Sequence, residues 1–267
     1  MQKGALVGQG RTAEIYAWGD HQVLKLYREF APAHWVDQEW RVGHVLMEAG
    51  LAVPAVGDRV ESDGRRGLLY ERIDGPTLLQ SVARQPLTMA QAARQFAELH
   101  VQMHNVHRPQ LPAQREQLRH VIHVAPQLTA ETKDRILRRL ASLPTGDAVC
   151  HGDYHPDNIL LSPRGPVVID WMTVSAGNPA ADVARTALLF LGGSLPPGMP
   201  SAQRVFFQAM RRFYYALYLR AYRRLRPMPS LAIQTWLPIL AAARLNEGIA
   251  EDEAQLLERV VRAFGAN

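Results

Sequence analysis

Cysteine is nearly absent from this chain: Cys150 is the only one in 267 residues. No intrachain disulfide can form, and nothing in the cysteine usage points to an oxidising compartment. Cys150 reads as a small packed side chain rather than a nucleophile. Long apolar runs are missing too, and none approaches the roughly 18 residues that a membrane helix needs. Gln2, Gly4, Arg11 and Glu14 break up any signal-peptide core in the first fifteen residues. The expectation is a cytoplasmic protein with no membrane attachment. Tandem repeats and low-complexity tracts are also lacking. Lys and Arg outnumber Asp and Glu by 30 to 25, a formal charge of +5 that would permit nucleic-acid binding. The basic residues are spread along helical segments, however, apart from Arg211-Arg212 and Arg220 to Arg226. That cluster lies on the aromatic stretch F-Y-Y-A-L-Y-L-R-A-Y-R-R-L-R and reads as a solvated helix face with snorkelling arginines. No nucleic-acid partner is expected.

What is present centres on residues 149–171, V-C-H-G-D-Y-H-P-D-N-I-L-L-S-P-R-G-P-V-V-I-D-W. His151, Asp153 and Asn158 crowd one short polar loop. Ile159-Leu160-Leu161, a Ser-Pro-Arg-Gly-Pro turn and Val167-Val168-Ile169 then read as a hairpin that ends at Asp170. Such a hairpin puts Asp153 and Asn158 at its mouth beside Asp170. Two carboxylates and an amide around one small volume suit Mg²⁺ and phosphate oxygens, because Mg²⁺ takes hard oxygen ligands and keeps several waters. A second chemistry is open at the same place. His151, Asp153 and His155 form H-x-D-x-H, which can be the metal cluster of a phosphohydrolase.

The N-terminal residues bear on this choice. L-V-G-Q-G-R-T-A-E-I-Y-A-W reads as strand, glycine-containing turn and strand, and Gly19-Asp20 turns into V-L-K-L-Y. Gly8 and Gly10 would let a hairpin tip approach a ligand closely, having no Cβ. Lys25 stands in an alternating apolar strand where a lysine is out of place. Residues 34–50 read as an amphipathic helix capped by Gly50. Leu51 to Val60 and Gly67 to Tyr70 complete an antiparallel sheet around the Ser62-Asp63-Gly64 turn. Met89 to His107 and Thr129 to Leu143 read as helices. His100 and His104 share a helix face at i and i+4, but no third ligand accompanies them in sequence, so they read as packing histidines. A turn is expected from Gly192 to Pro200, and helices after it.

H-G-D-Y-H-P-D-N followed by I-D-W resembles the catalytic loop and metal-binding aspartate of the aminoglycoside phosphotransferase and choline kinase family, which has a protein-kinase-like fold. Gly152 and Trp171 stand where protein kinases carry H-R-D and D-F-G. The resemblance runs from Gly8 to about Arg185. It implies a two-lobed α+β fold, with a small N-terminal antiparallel sheet lobe at 1–73 and a larger, mainly helical lobe at 74–267. It implies ATP and Mg²⁺ as cofactors and a small-molecule hydroxyl as acceptor of the γ-phosphate. Asp153 would be the catalytic base, and Asn158 and Asp170 the metal ligands. Gly8, Gly10, Lys25, its partner Glu39, and the hinge residues Glu71 and Ile73 would bind the nucleotide. Glu39 is preferred to Glu48, which is too close to the helix end. Asp182 matches the position that ties down the catalytic-loop backbone. A regulator that keeps the fold without activity is the remaining alternative, and the intact Lys25, Asp153, Asn158 and Asp170 set argues against it.

Overall fold

The computed structural model describes residues 3–192 and 198–265, and the turn expected from Gly192 to Pro200 lies largely outside them. Its two compact units are Met1–Arg84 with Pro156–Thr173, and Gln85–His155 with Val174–Asn267. The lobes expected at 1–73 and 74–267 are a different division of the chain.

In the first unit, β1 (Lys3–Gln9), β2 (Ala13–Trp18) and β3 (Gln22–Tyr27) form an antiparallel meander. The helix α1 (Ala33–Glu48) follows, then β4 (Val56–Ser62) and β5 (Arg65–Glu71). The sheet order is β1-β2-β3-β5-β4, all neighbours antiparallel. Side chains alternate faces along a strand. Leu24 and Leu26 of β3 therefore join Leu69, Tyr16, Trp18 and Val60 in one apolar cluster. Tyr27 points the other way, toward Val36 of α1, Leu68 and Tyr70. Lys25 shares the parity of Tyr27, so the lysine that interrupts the apolar strand faces the helix side. The β4–β5 turn has φ of 53° at Asp63 and 70° at Gly64, the left-handed pair that a tight type I′ hairpin needs. The strand expected from Leu51 begins only at Val56. Pro54 supplies no N–H for a ladder, and residues 51–55 turn instead. After β5 come α2 (Leu78–Arg84) and, later in the chain, the hairpin β7 (Ile159–Ser162) and β8 (Gly165–Val168).

The second unit holds α3 (Met89–His104), α4 (Gln114–Val124), α5 (Ala130–Ser142), α6 (Pro179–Gly192), α7 (Ser201–Leu225), α8 (Ser230–Leu245) and α9 (Ala250–Phe264). Thr129 caps α5 by accepting from the Thr132 N–H at 3.2 Å. A short antiparallel pair, β6 (Ala148–Cys150) with β9 (Ser175–Gly177), precedes and follows the segment that leaves for the other unit. The helix expected to reach His107 stops at His104 because the next residues pair with β6. Val106 O accepts from Val149 N, and Arg108 N donates to Asp147 O, each at 2.9 Å. On α7 the residues Tyr214, Tyr218 and Tyr222, four apart, make the buried stripe, while Arg212, Arg220 and Arg224 lie exposed. No helix among the described residues is long and apolar enough to cross a membrane.

Candidate active site

Lys25 and Glu39 are both buried in the first unit. Lys25 Nζ lies 2.8 Å from Glu39 Oε1 and 3.2 Å from Asp170 Oδ1. Glu39 is reached because it sits on the buried stripe of α1 with Val36, Val42 and Leu46. Glu48, at the end of that helix, is exposed. Tyr70 donates its hydroxyl to the same Glu39 oxygen at 2.7 Å, and Glu39 Oε2 is buried without a hydrogen-bond partner among the described residues. Burial opposes the lysine's charge, but Glu39 and Asp170 outweigh it and push Lys25 up to about 12. It is a fixed cation at any physiological pH. The Tyr70 hydroxyl is driven well above its ordinary range, by burial first and then by Glu39, so it stays a donor.

The β7–β8 register, Ile159↔Val168, is closed by Ile169 N donating to Asn158 O at 3.0 Å. Asn158 and Asp170 are thereby set at the open end of one hairpin. The Asn158 side chain is buried, whereas Asp170 is 47% exposed. Asp170 adopts φ 62°, one of two left-handed non-glycine residues among those described. Strain of this kind, roughly 1–3 kcal/mol, persists only where surrounding structure holds it. Here the Lys25 contact and the hairpin do so.

Gly8 lies in β1 and Gly10 follows it, with Gly10 N donating to Ala13 O at 2.8 Å. Among the described residues, a Cβ at Gly8 would meet only Ile15, at 3.8 Å, and one at Gly10 only Ala13 O, at 3.7 Å. The protein's own packing does not require either glycine. Glu71 ends β5 and pairs with Arg164 at 2.6 Å, while its backbone N–H donates to Ala55 O. Ile73 follows in the irregular segment and is half-buried.

Asp153 belongs to the second unit, in the loop after β6. Its Oδ1 lies 3.4 Å from Arg185 Nη2 and its Oδ2 lies 3.5 Å from His155 Nε2. Burial works to raise its carboxyl, but His155 and Arg185 prevail and hold it well below the usual carboxylate range. Arg185 also donates from Nε to Gly152 O at 3.0 Å and pairs with Glu247. His151 is fully buried; its Nδ1 accepts the Asp153 N–H at 3.2 Å. The loop backbone is anchored by Asp182, which accepts His151 N–H at 2.7 Å and Gly152 N–H at 2.8 Å. Gly152, at φ 79°, makes the bend that aims both amides at one carboxylate.

Three features escaped the sequence. Arg185 lies one helical turn beyond Asp182 on α6, and that i, i+3 spacing was the available signal. The third partner expected to be lacking for His100 and His104 is present: Asp182 Oδ2 lies 3.1 and 3.2 Å from their Nε2 atoms. Tyr218 and Tyr222 complete that cluster from α7. Among the described residues, His100, His104 and Asp182 are the one group of potential metal ligands that converges, whereas His151, Asp153 and His155 do not form one.

As to cofactors, the half-exposed Asp170 carboxylate, the buried Asn158 amide and the Lys25 ammonium, all in the first unit, make a donor set of hard oxygens and one cation. That chemistry fits Mg²⁺ bound with a polyphosphate.

Comparison with known proteins bears on the fold and the family. No curated protein matches. Among solved structures, the chain is similar to an aminoglycoside-3'-phosphotransferase of type VIII at 20% identity, with TM-score 0.60 and 92% of each chain covered. It is similar to aminoglycoside phosphotransferase APH(3'')-Id from Streptomyces rimosus, solved with ADP and streptomycin, at 20% identity and TM-score 0.57, covering 86% of this chain and 90% of that one. It is also similar to the amicoumacin kinase hAmiN, solved with AMP-PNP and Ca²⁺, at 14% identity and TM-score 0.59, covering 96% and 86%. At these identities the likeness establishes the fold, the two-lobed α+β protein-kinase-like fold. The model of the phosphotransferase enzyme family matches residues 4–228, well beyond Arg185, where the recognisable motifs end. The chain belongs to the phosphotransferase enzyme family.

Proposed function

We propose that this protein transfers the γ-phosphoryl group of ATP, with Mg²⁺, to a hydroxyl of a small molecule. The observation that carries the reading is the buried Lys25 held between Glu39 and Asp170. A buried ammonium needs one carboxylate, and Glu39 supplies it. Asp170 is then a second, half-exposed carboxylate held in a strained backbone beside Asn158, which suits a metal ligand better than a structural ion pair. In this reading Asn158 and Asp170 hold Mg²⁺, which neutralises phosphate charge when bound. Lys25 steadies the phosphates, and Glu39 steadies Lys25. Gly8 and Gly10 leave the hairpin tip open to a phosphate, and the backbone at Glu71 and Ile73 takes the base. Asp153 aims the acceptor hydroxyl and takes its proton. A cytoplasmic location and lobes at 1–73 and 74–267 belong to the same reading.

Arg185 beside Asp153 bears on the acceptor. A polycationic acceptor calls for a cleft rich in carboxylates. Here Glu247 is already paired with Arg185, and Arg185 lies against the catalytic carboxylate. The reading is therefore a small alcohol, with no commitment to an aminoglycoside.

Two experiments test it. Calorimetry should detect ATP binding that strengthens with Mg²⁺, and Asp170→Ala should weaken Mg·ATP by about tenfold or more, about 1.4 kcal/mol. Absence of affinity for any nucleoside triphosphate would sink the kinase reading. The hydrolase alternative predicts that His155→Ala strips a bound Zn²⁺ or Mn²⁺. The expected result is that His155→Ala leaves metal binding nearly unchanged, while ADP release appears with some member of a panel of small alcohols.

A further inference from the structure

His100 and His104 lie one turn apart on α3, both fully buried. Each uses both ring nitrogens. Nε2 of each lies 3.1 or 3.2 Å from Asp182 Oδ2, and Nδ1 lies 2.8 Å from the Tyr218 hydroxyl in His100 and 2.7 Å from the Tyr222 hydroxyl in His104. Asp182, also fully buried, accepts two backbone amides of the catalytic loop besides. Among the described residues it has no Lys or Arg partner. A buried carboxylate in that position must be stabilised by neutral donors. Four are in place, two amides and two imidazoles.

A neutral imidazole donates through one nitrogen only, and which one depends on what the other nitrogen accepts. Tyr218 and Tyr222, i and i+4 on α7, match His100 and His104, i and i+4 on α3. Burial keeps both phenols above their ordinary range and both imidazoles below theirs, to about 3 for His100. Each tyrosine O–H can therefore donate to Nδ1, which leaves the ring proton on Nε2, facing Asp182.

We propose that His100, His104, Tyr218 and Tyr222 are positioning residues for the catalytic loop, the tyrosines selecting the histidine tautomer that secures Asp182 and, through it, the backbone at His151 and Gly152. The proposal rests on the reading that Asp153, next in that loop, aims the acceptor hydroxyl. The competing use of the same atoms is a metal site. A metal on Nε2 needs a lone pair there, so the ring proton would sit on Nδ1 and donate to the tyrosine oxygen. The two uses require opposite tautomers.

Long-range ¹H–¹⁵N correlation spectra of the full chain near pH 7.5 distinguish them. The expected result is protonated Nε2 and bare Nδ1 in both rings. In Tyr218→Phe/Tyr222→Phe, which removes two hydroxyls and keeps the rings, mixed tautomers should appear. The His151 and Gly152 amides should exchange with solvent at least about tenfold faster, while amides of β1 to β5 keep their rates. Tyr215→Phe, whose ring packs 5.9 Å from that of Tyr218 but whose hydroxyl takes no part in the hydrogen bonds to the two histidines, should change neither readout. Protonated Nδ1, stoichiometric zinc retained by the wild type and lost in His104→Gln, or unaltered loop amides in the double variant would each overturn the proposal. None of these measurements depends on turnover, so a failed role for Asp153 would be recognised separately.

Discussion

Asp153→Asn is expected to lower turnover about 10²–10⁴-fold, the usual worth of a positioned general base, while Mg·ATP affinity stays within a few-fold. The substitution keeps the shape of the side chain. Its carbonyl can still accept from Arg185, now 3.4 Å away, and the loop backbone remains held by Asp182. With Asp153 about a third exposed, loss of its ion pairs should cost less than about 1 kcal/mol of stability. The rate effect is thus separable from folding. The wild-type carboxyl sits well below its ordinary range because of His155 and Arg185. It is ionised throughout the working pH range and is a weak base in itself. In a loose transition state the hydroxyl proton leaves late, so aiming the hydroxyl is the larger part of the task. It follows that the acid limb of the pH–rate profile should not fall at an ordinary carboxylate pKa. The test is steady-state kinetics with an accepted alcohol, together with calorimetry of Mg·ATP. Full turnover in Asp153→Asn would remove this loop from the chemistry.

The parts of the fold visible in the sequence were those written in local pattern. The β7–β8 hairpin, the N-terminal meander and α1 each have a period or a turn that names them. Lys25 announced itself by breaking an alternating apolar strand, and the structure gives the reason: it faces α1, not the Leu24–Leu26 cluster. What local pattern does not carry is which distant residue meets which. His100 and His104 were recognisable as a helix-face pair, yet Asp182 is 78 residues beyond His104, and Tyr218 is 118 beyond His100. The tyrosine stripe of α7 looked like a place for snorkelling arginines because its arginines were conspicuous. Its buried face only makes sense once α3 lies against it. The β9 strand, three residues of Ser-Ala-Gly, has no propensity to betray it and forms because β6 offers an edge.

The same histidines should make the protein acid-labile well above the carboxylate range. His100 is held neutral, down to about 3, chiefly by burial and then by His104, with Asp182 pulling the other way and His151 adding to the depression. His104 is lowered for the same leading reason, with Arg226 as a further cationic neighbour and Asp182 again opposing. A group whose folded pKa is depressed below an unfolded value of about 6.5 binds its proton only on unfolding. Stability should therefore be flat above about pH 6.5 and fall as the pH drops from there toward 3. The slope from His100 alone is roughly 1.4 kcal/mol per pH unit, about 2 kcal/mol by pH 5, before His104 is added. Asp182 is depressed as well, but its contribution is lost only below the ordinary Asp value of 3.8. Lys25 is raised, so it matters only on the alkaline side. Against a total of about 5–15 kcal/mol, the histidine loss is large. Urea midpoints measured at pH 7.5 and 5.0 should differ clearly in the wild type. His100→Gln/His104→Gln keeps an N–H donor toward Asp182 without a titrating ring, and should show much less pH dependence over that interval even if it is less stable at pH 7.5. Equal wild-type midpoints at the two pH values would mean that the rings are charged, or solvated, in the folded protein, contrary to the geometry around Asp182.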